Sequence, residues 1–141
     1  MLIAKVFYRA DATAIAGRDT QVVSPGGALD LRVTTPPDLG GTNGRGTSPE
    51  ELFAATYAAS FLGMLRLVSA REGVSLPSGT QVDATVGVGT TARGFGIEAE
   101  LRIRLPGMAR VEADALVMRA HELCAYSNAI RNNVSVRLVI A

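Results

Sequence analysis

Cysteine, histidine, lysine and tryptophan are nearly absent from this chain: it has one of each of the first three and no tryptophan. A sole cysteine, Cys124, excludes an intrachain disulfide, and with His121 as the only histidine a structural zinc site lacks its ligands. Excess charge of one sign is also missing. The formal net charge is +1, and the arginines are scattered without a basic run, so neither nucleic acid nor an anionic membrane is an expected partner. The apolar run Leu52–Val68 falls short of the roughly 20 residues of a membrane span and is broken by Thr56, Tyr57 and Ser60. Met1–Ala10 has no charged head followed by an apolar run, so it does not resemble a secretory leader. A cytoplasmic location is the expectation, with neither cofactor nor metal.

What is present is a well-packed composition: 141 residues, 48% hydrophobic and 19% charged. That length suits one domain, 1–141, with a core of its own. The chain is organised around Thr47–Gly73. Ser48 is a candidate N-cap, Pro49 suits the first helical position, and Glu51 follows three residues after Ser48, which together form a capping box. Gly73 is a natural stop. From Leu52 to Val68 the helix is apolar or small on all sides, which predicts a helix buried all round. Ser60 is the conspicuous polar residue inside it.

The remaining elements follow from periodicity and turn chemistry. Leu2–Ala10 alternates as a first strand. Gly17-Arg18-Asp19 is a turn before a short strand at Thr20–Val23, and Ser24-Pro25-Gly26-Gly27 is a second turn. Leu29, Leu31 and Val33 then alternate with Asp30, Arg32 and Thr34. Pro36-Pro37 ends that strand, and the glycine-rich Leu39–Gly46 leads to the helix. Its glycines are too irregular for a phosphate-binding fingerprint. Beyond Gly73, Val82, Ala84, Val86 and Val88 share a face. Phe95, Ile97, Ala99, Leu101, Ile103 and Leu105 alternate with Glu98, Glu100, Arg102 and Arg104, the pattern of an antiparallel strand with one packed and one wet face. Val111–Leu123 is a second helix, with Val111, Ala115, Val117, Met118 and Leu123 as its apolar side. Asn132-Asn133 turns the chain into a last strand from Val134 to Ile140. The order predicts an α+β fold in which an antiparallel sheet packs on a long central helix plus a second helix.

Taken one at a time, the polar residues of interest have ordinary explanations. A serine within an apolar helix usually bonds back to a carbonyl one turn earlier, and a lone cysteine is usually a small buried hydrophobe. Arg18 beside Asp19 suits a turn ion pair, and Glu50 suits the positive end of a helix. His121 could serve as base for a Ser60 hydrolase, but no acid partner and no nucleophile elbow accompany it. Four motifs in order change this assessment. LFAATYAASF (Leu52–Phe61), VDATVGVG (Val82–Gly89), GFGIEAELRIRLPG (Gly94–Gly107) and HELCAYSNAIRNN (His121–Asn133) together resemble the organic hydroperoxide resistance (Ohr) family of the OsmC-like superfamily.

That resemblance implies a thiol peroxidase that reduces alkyl and fatty-acid hydroperoxides to alcohols in oxidative-stress defence. It further implies an intertwined homodimer and a redox-active disulfide, reduced by dihydrolipoyl groups of lipoylated proteins. The resolving cysteine of the family matches Cys124, the site arginine matches Arg18, and the site glutamate matches Glu50. The peroxidatic cysteine matches Ser60. A serine hydroxyl is scarcely ionised near neutral pH and forms no sulfenic acid, so the chain as written is expected to be nearly inactive. Either a deliberate Cys-to-Ser exchange or a paralogue that has lost the chemistry accounts for Ser60. The second origin carries an alternative function, a non-catalytic protein that binds hydrophobic ligands or senses peroxide through Cys124. Thr56 and Ala125 also depart from the glycine and proline common in the family.

Overall fold

A computed structural model describes residues 1–17, 19–42 and 44–141, which form two compact units, Met1–Pro49 and Glu50–Ala141. Arg18, expected in the turn after Gly17, lies outside the described residues.

The first unit holds a three-stranded antiparallel sheet of β1 (Thr13–Ile15), β2 (Thr20–Val23) and β3 (Asp30–Val33), in that order. The turn between β2 and β3 closes as expected, with Gly27 N donating to Ser24 O at 3.0 Å. A 3-10 turn at Pro37–Leu39 follows the proline pair. Gly41 then passes so close to Thr35 that a Cβ there would meet the Thr35 carbonyl oxygen at 1.7 Å, a contact only glycine escapes. Thr47 is pinned beside the end of β3: Thr34 N donates to Thr47 O at 2.7 Å, and Thr47 N donates to Arg32 O at 3.0 Å.

The expected strand at Leu2–Ala10 does not form. Met1–Ala12 carries no sheet pairing, and Phe7 and Tyr8 stand exposed. Alternation alone cannot make a strand, because its N–H and C=O groups need a neighbour, and this chain supplies none to that segment.

The second unit is built on α1 (Pro49–Glu72), ended by Gly73 at φ 68°. Its sheet comprises β4 (Gln81–Thr91), β5 (Gly94–Arg104) and β6 (Val136–Ile140). β4 and β5 form a hairpin with Thr91 opposite Gly94, so the strands run further into the predicted link than the sequence suggested. β6 joins β5 in parallel, Leu101 opposite Leu138. Between β5 and β6 lie α2 (Arg110–Leu123) and a short α3 (Ala125–Ile130), long enough together for the crossover that a parallel pair requires. The fold is thus α+β, with one parallel pairing in the otherwise antiparallel sheets.

One core joins these elements: Tyr57, Phe61, Leu65 and Val68 from α1, Ala99, Leu101 and Ile103 from β5, Ala113, Leu116, Val117 and Ala120 from α2, and Cys124. The charged face of the sheet is a solvated surface, as expected. It carries Arg104–Asp83 at 3.3 Å and Arg137–Glu100 at 3.5 Å, exposed pairs worth at most about 1 kcal/mol each.

Three expectations about burial change. First, α1 is not buried all round: Ala55, Thr56, Ala59, Gly63 and Leu67 are exposed, because within one chain only the Tyr57-Phe61-Leu65-Val68 side has anything to pack against. Second, this 24-residue helix is long and apolar enough to cross a membrane by length and composition alone, yet its Tyr57–Val68 side packs in the core. Third, α2 presents a different face. Val111 is 82% exposed and Met118 51%, whereas Ala113, Leu116, Val117 and Ala120 are buried. The i, i+3, i+4, i+7 spacing of the buried set is a regular helical stripe, concealed by its two small alanines. Phe95, at the hairpin tip, is likewise exposed.

This assignment of faces makes a sharp contrast between two similar truncations. Leu116→Ala should cost about 2–5 kcal/mol, and Val111→Ala should stay within about 0.5 kcal/mol. Urea unfolding followed by circular dichroism distinguishes them, and equal costs would contradict the observed face of α2.

Candidate functional site around Cys124

Cys124 sits at the corner between α2 and α3. Its backbone is extended, φ −65° and ψ 124°, so one helix ends and the next begins at this residue. Its N–H donates to Ala120 O at 2.8 Å, closing α2, and its carbonyl accepts from Asn128 N at 2.9 Å, opening α3. The side chain is fully buried.

Ser60 lies in the middle of α1, half-buried, between exposed Ala59 and buried Phe61. Its helical neighbours Tyr57 and Phe61 belong to the same core cluster as Cys124. Glu50 is in the first turn of α1, and its Oε2 is buried without a hydrogen-bond partner among the described residues. A buried carboxylate oxygen left unpaired is costly. Ten residues separate Glu50 from Ser60, about 15 Å along the helix at roughly 1.5 Å per residue, so one α1 does not bring them together. Asp19, expected to pair with Arg18, lies 3.6 Å from Arg32 Nε.

The corner also holds a polar network that sequence reasoning missed. Ser127 Oγ is 2.7 Å from the Tyr57 hydroxyl and 2.9 Å from His121 Nδ1. Ser127 and Tyr57 are both fully buried. Arg131 extends the network by donating from Nη2 to the His121 carbonyl at 2.7 Å and from Nη1 to Asn128 Oδ1. His121 is thus engaged with Ser127 through Nδ1. The available signal was spacing: His121 and Ser127 stand three residues before and three after Cys124.

The electrostatics follow from burial. Desolvation pushes the Tyr57 phenol above its ordinary range, opposed by the Ser127 hydrogen bond that favours the phenolate. Desolvation, followed by the nearby Arg131 guanidinium, holds His121 below its ordinary value, and Glu122 opposes them weakly. Neutral imidazole is the favoured form in the fold. It can accept from Ser127 while Tyr57 donates to Ser127, or the three hydroxyl and imidazole protons can point the other way.

A second feature of this unit is a hollow of about 350 Å³ on the sheet, lined by Thr85, Gly87, Glu98, Glu100, Ser135 and Arg137. Its lining has acids and an arginine but no thiol or imidazole.

The lowered His121 sets a pH dependence with a definite sign. The unfolded chain takes up a proton at His121 near pH 6.5, and the folded chain resists until the pH is lower. The contribution of His121 to stability is therefore complete above about pH 6.5 and declines as the pH falls through the folded value. Urea midpoints measured from pH 8 to pH 5 should fall for the parent chain and fall less for His121→Gln. Parallel curves for the two would show that His121 is not held neutral by the fold.

A family profile described as "OsmC-like protein" matches residues 41–139. The organic hydroperoxide resistance protein of Xanthomonas axonopodis pv. citri is 49% identical over 137 residues, 97% of this chain and 96% of the relative. A crystal structure of an organic hydroperoxide resistance protein from Legionella pneumophila superposes with a TM-score of 0.91 at 40% identity, covering 97% of this chain and 99% of that one. One from Vibrio cholerae, with captopril bound in one of its active sites, superposes with a TM-score of 0.88 at 36% identity, covering 97% and 94%. The chain belongs to the organic hydroperoxide resistance family of OsmC-like proteins.

Proposed function

We propose that this fold is that of a thiol-dependent peroxidase acting on organic hydroperoxides in oxidative-stress defence, with position 60 as the peroxidatic site and Cys124 as the resolving thiol. The observation that carries the proposal is that Cys124 shares one core cluster with Tyr57 and Phe61, the helical neighbours of Ser60, in a chain 49% identical to a protein named for organic hydroperoxide resistance. Apolar neighbours (Phe53, Phe61, Leu62, Met64) suit an alkyl peroxide better than hydrogen peroxide.

The chemistry needs a thiol at position 60. A thiolate there attacks the distal peroxide oxygen, the O–O bond breaks, and the alkoxide leaves and takes a proton to become the alcohol. The sulfur, oxidised to sulfenic acid, condenses with the Cys124 thiol with loss of water. A dihydrolipoyl group then reduces the disulfide by two thiol exchanges and is itself oxidised to the cyclic disulfide. Arg18 stabilises the thiolate with its permanent charge, and Glu50 orients the guanidinium through a bidentate pair. Ser60 cannot perform the first step, so the chain as it stands is the inactive form. Ser60 is also the observation that favours the second reading, a non-catalytic relative that binds apolar ligands or senses peroxide through Cys124.

The working unit in this reading is a homodimer. Glu50 lies about 15 Å from Ser60 on its own helix, which a partner's Glu50 would remedy. The exposed line Ala55, Ala59, Gly63 and Leu67 on α1 offers a surface for such an association.

Two measurements test these assignments. With cumene hydroperoxide and dihydrolipoamide, Ser60→Cys should turn over at least about 100-fold faster than the chain as given, and Arg18→Lys in that background should lose most of the gain because a point charge cannot replace the planar fork. Equal peroxide consumption with and without the Ser60→Cys change would refute position 60. Light scattering at micromolar concentration should give the mass of two chains, and a single-chain mass would refute the shared site.

A further inference from the structure

Resting on that reading, we infer that Tyr57, Ser127 and His121 are positioning residues for the resolving step: they clamp the Cys124 corner to α1 so that the Cys124 thiol is presented to position 60. Three features of the geometry support this role.

The first is symmetry of spacing. Tyr57 precedes Ser60 by three residues, and Ser127 follows Cys124 by three. Residues three apart in a helix are neighbours on one face. The 2.7 Å bond between Tyr57 and Ser127 therefore joins α1 to α3 within one turn of each of the two positions that must meet. Any change in that bond changes their separation directly.

The second is closure of the corner itself. His121 and Ser127 lie three residues to either side of Cys124 and bond to each other at 2.9 Å across it. A six-residue helix has little stability of its own. Where α3 sits, and with it the extended Cys124 backbone, depends on what anchors it. The Ser127 bonds and the Arg131 donation to the His121 carbonyl are those anchors.

The third is what a hydrogen bond adds that contact cannot. Tyr57 and Ser127 are fully buried. Phenylalanine and alanine would fill nearly the same space without desolvating two hydroxyls, and such paired replacements are often nearly neutral for stability. The polar pair instead supplies direction and distance, the quantities on which an intramolecular condensation depends. In that condensation the sulfur of Cys124 bonds to the sulfur at position 60, the S–O bond of the sulfenic acid breaks, and the hydroxyl leaves as water with the Cys124 proton.

The inference predicts a split between two steps in the Ser60→Cys protein. Formation of the sulfenic acid, followed as dimedone adduct or as alcohol released in the first turnover, should be unchanged by Ser127→Ala and by Tyr57→Phe. Disulfide formation should slow about three- to tenfold in each, the effect of one directed hydrogen bond, and sulfenic acid should accumulate. The double variant should be no slower than the slower single one, because both remove the same clamp. Far-ultraviolet circular dichroism accompanies each variant, and Tyr57→Phe keeps its ring in the core should Ser127→Ala fold poorly. Disulfide formation at the parent rate in a folded Tyr57→Phe protein overturns the inference. So does equal slowing of both steps, which would indicate a general structural role. Failure of the Ser60→Cys parent itself to form sulfenic acid would instead overturn the proposed function.

Discussion

A buried hydroxyl pair, Tyr57 with Ser127, ties the corner at Cys124 to α1. It connects the 24-residue α1 to the six-residue α3, and the two positions that the chemistry would couple lie one turn away from it on either side. Apolar packing of Phe61, Leu65, Leu101 and Leu116 accounts for why the second unit folds. It does not fix the orientation of a six-residue helix at a corner, since apolar contact is non-directional. The Ser127 bonds do, and burial makes them costly to break.

The electrostatics of the corner follow from the same burial. His121 is kept neutral by desolvation and by Arg131, which leaves its ring able to accept from a hydroxyl. Arg131 is itself occupied by the His121 carbonyl and Asn128. In the proposed mechanism the cationic charge beside a peroxidatic thiolate comes from Arg18, oriented by Glu50, whose Oε2 is buried without a partner among the described residues.

Much of this architecture was legible in the sequence. Pro49 and Gly73 bracket α1 closely, because start and stop signals are local chemistry, and β5 was legible because four charged residues alternating with apolar ones leave only one reading. The elements misjudged were those that depend on other parts of the structure. Leu2–Ala10 has a strand's pattern but no partner strand in the chain. The face of α2 was misassigned because Val111 and Met118 outweigh Ala113 and Ala120 in hydrophobicity, whereas it is small residues that allow a helix to approach a sheet closely. The parallel pairing of β6 could not be deduced from its alternation, since parallel and antiparallel strands alternate alike. Ser60, Cys124, Arg18 and Glu50 were singled out only through the four-motif resemblance. The Tyr57-Ser127-His121 network was missed because its spacing has meaning only once the corner at Cys124 is known.

The central claim is that positions 60 and 124 form one redox pair. The most direct measurement is non-reducing peptide mapping of the Ser60→Cys protein after one equivalent of an alkyl hydroperoxide. The account predicts a cross-linked peptide pair joining position 60 to Cys124 within a single chain, released by dihydrolipoamide. Recovery of both peptides uncrosslinked, with oxidation confined to Cys124 as sulfinic or sulfonic acid, would contradict it.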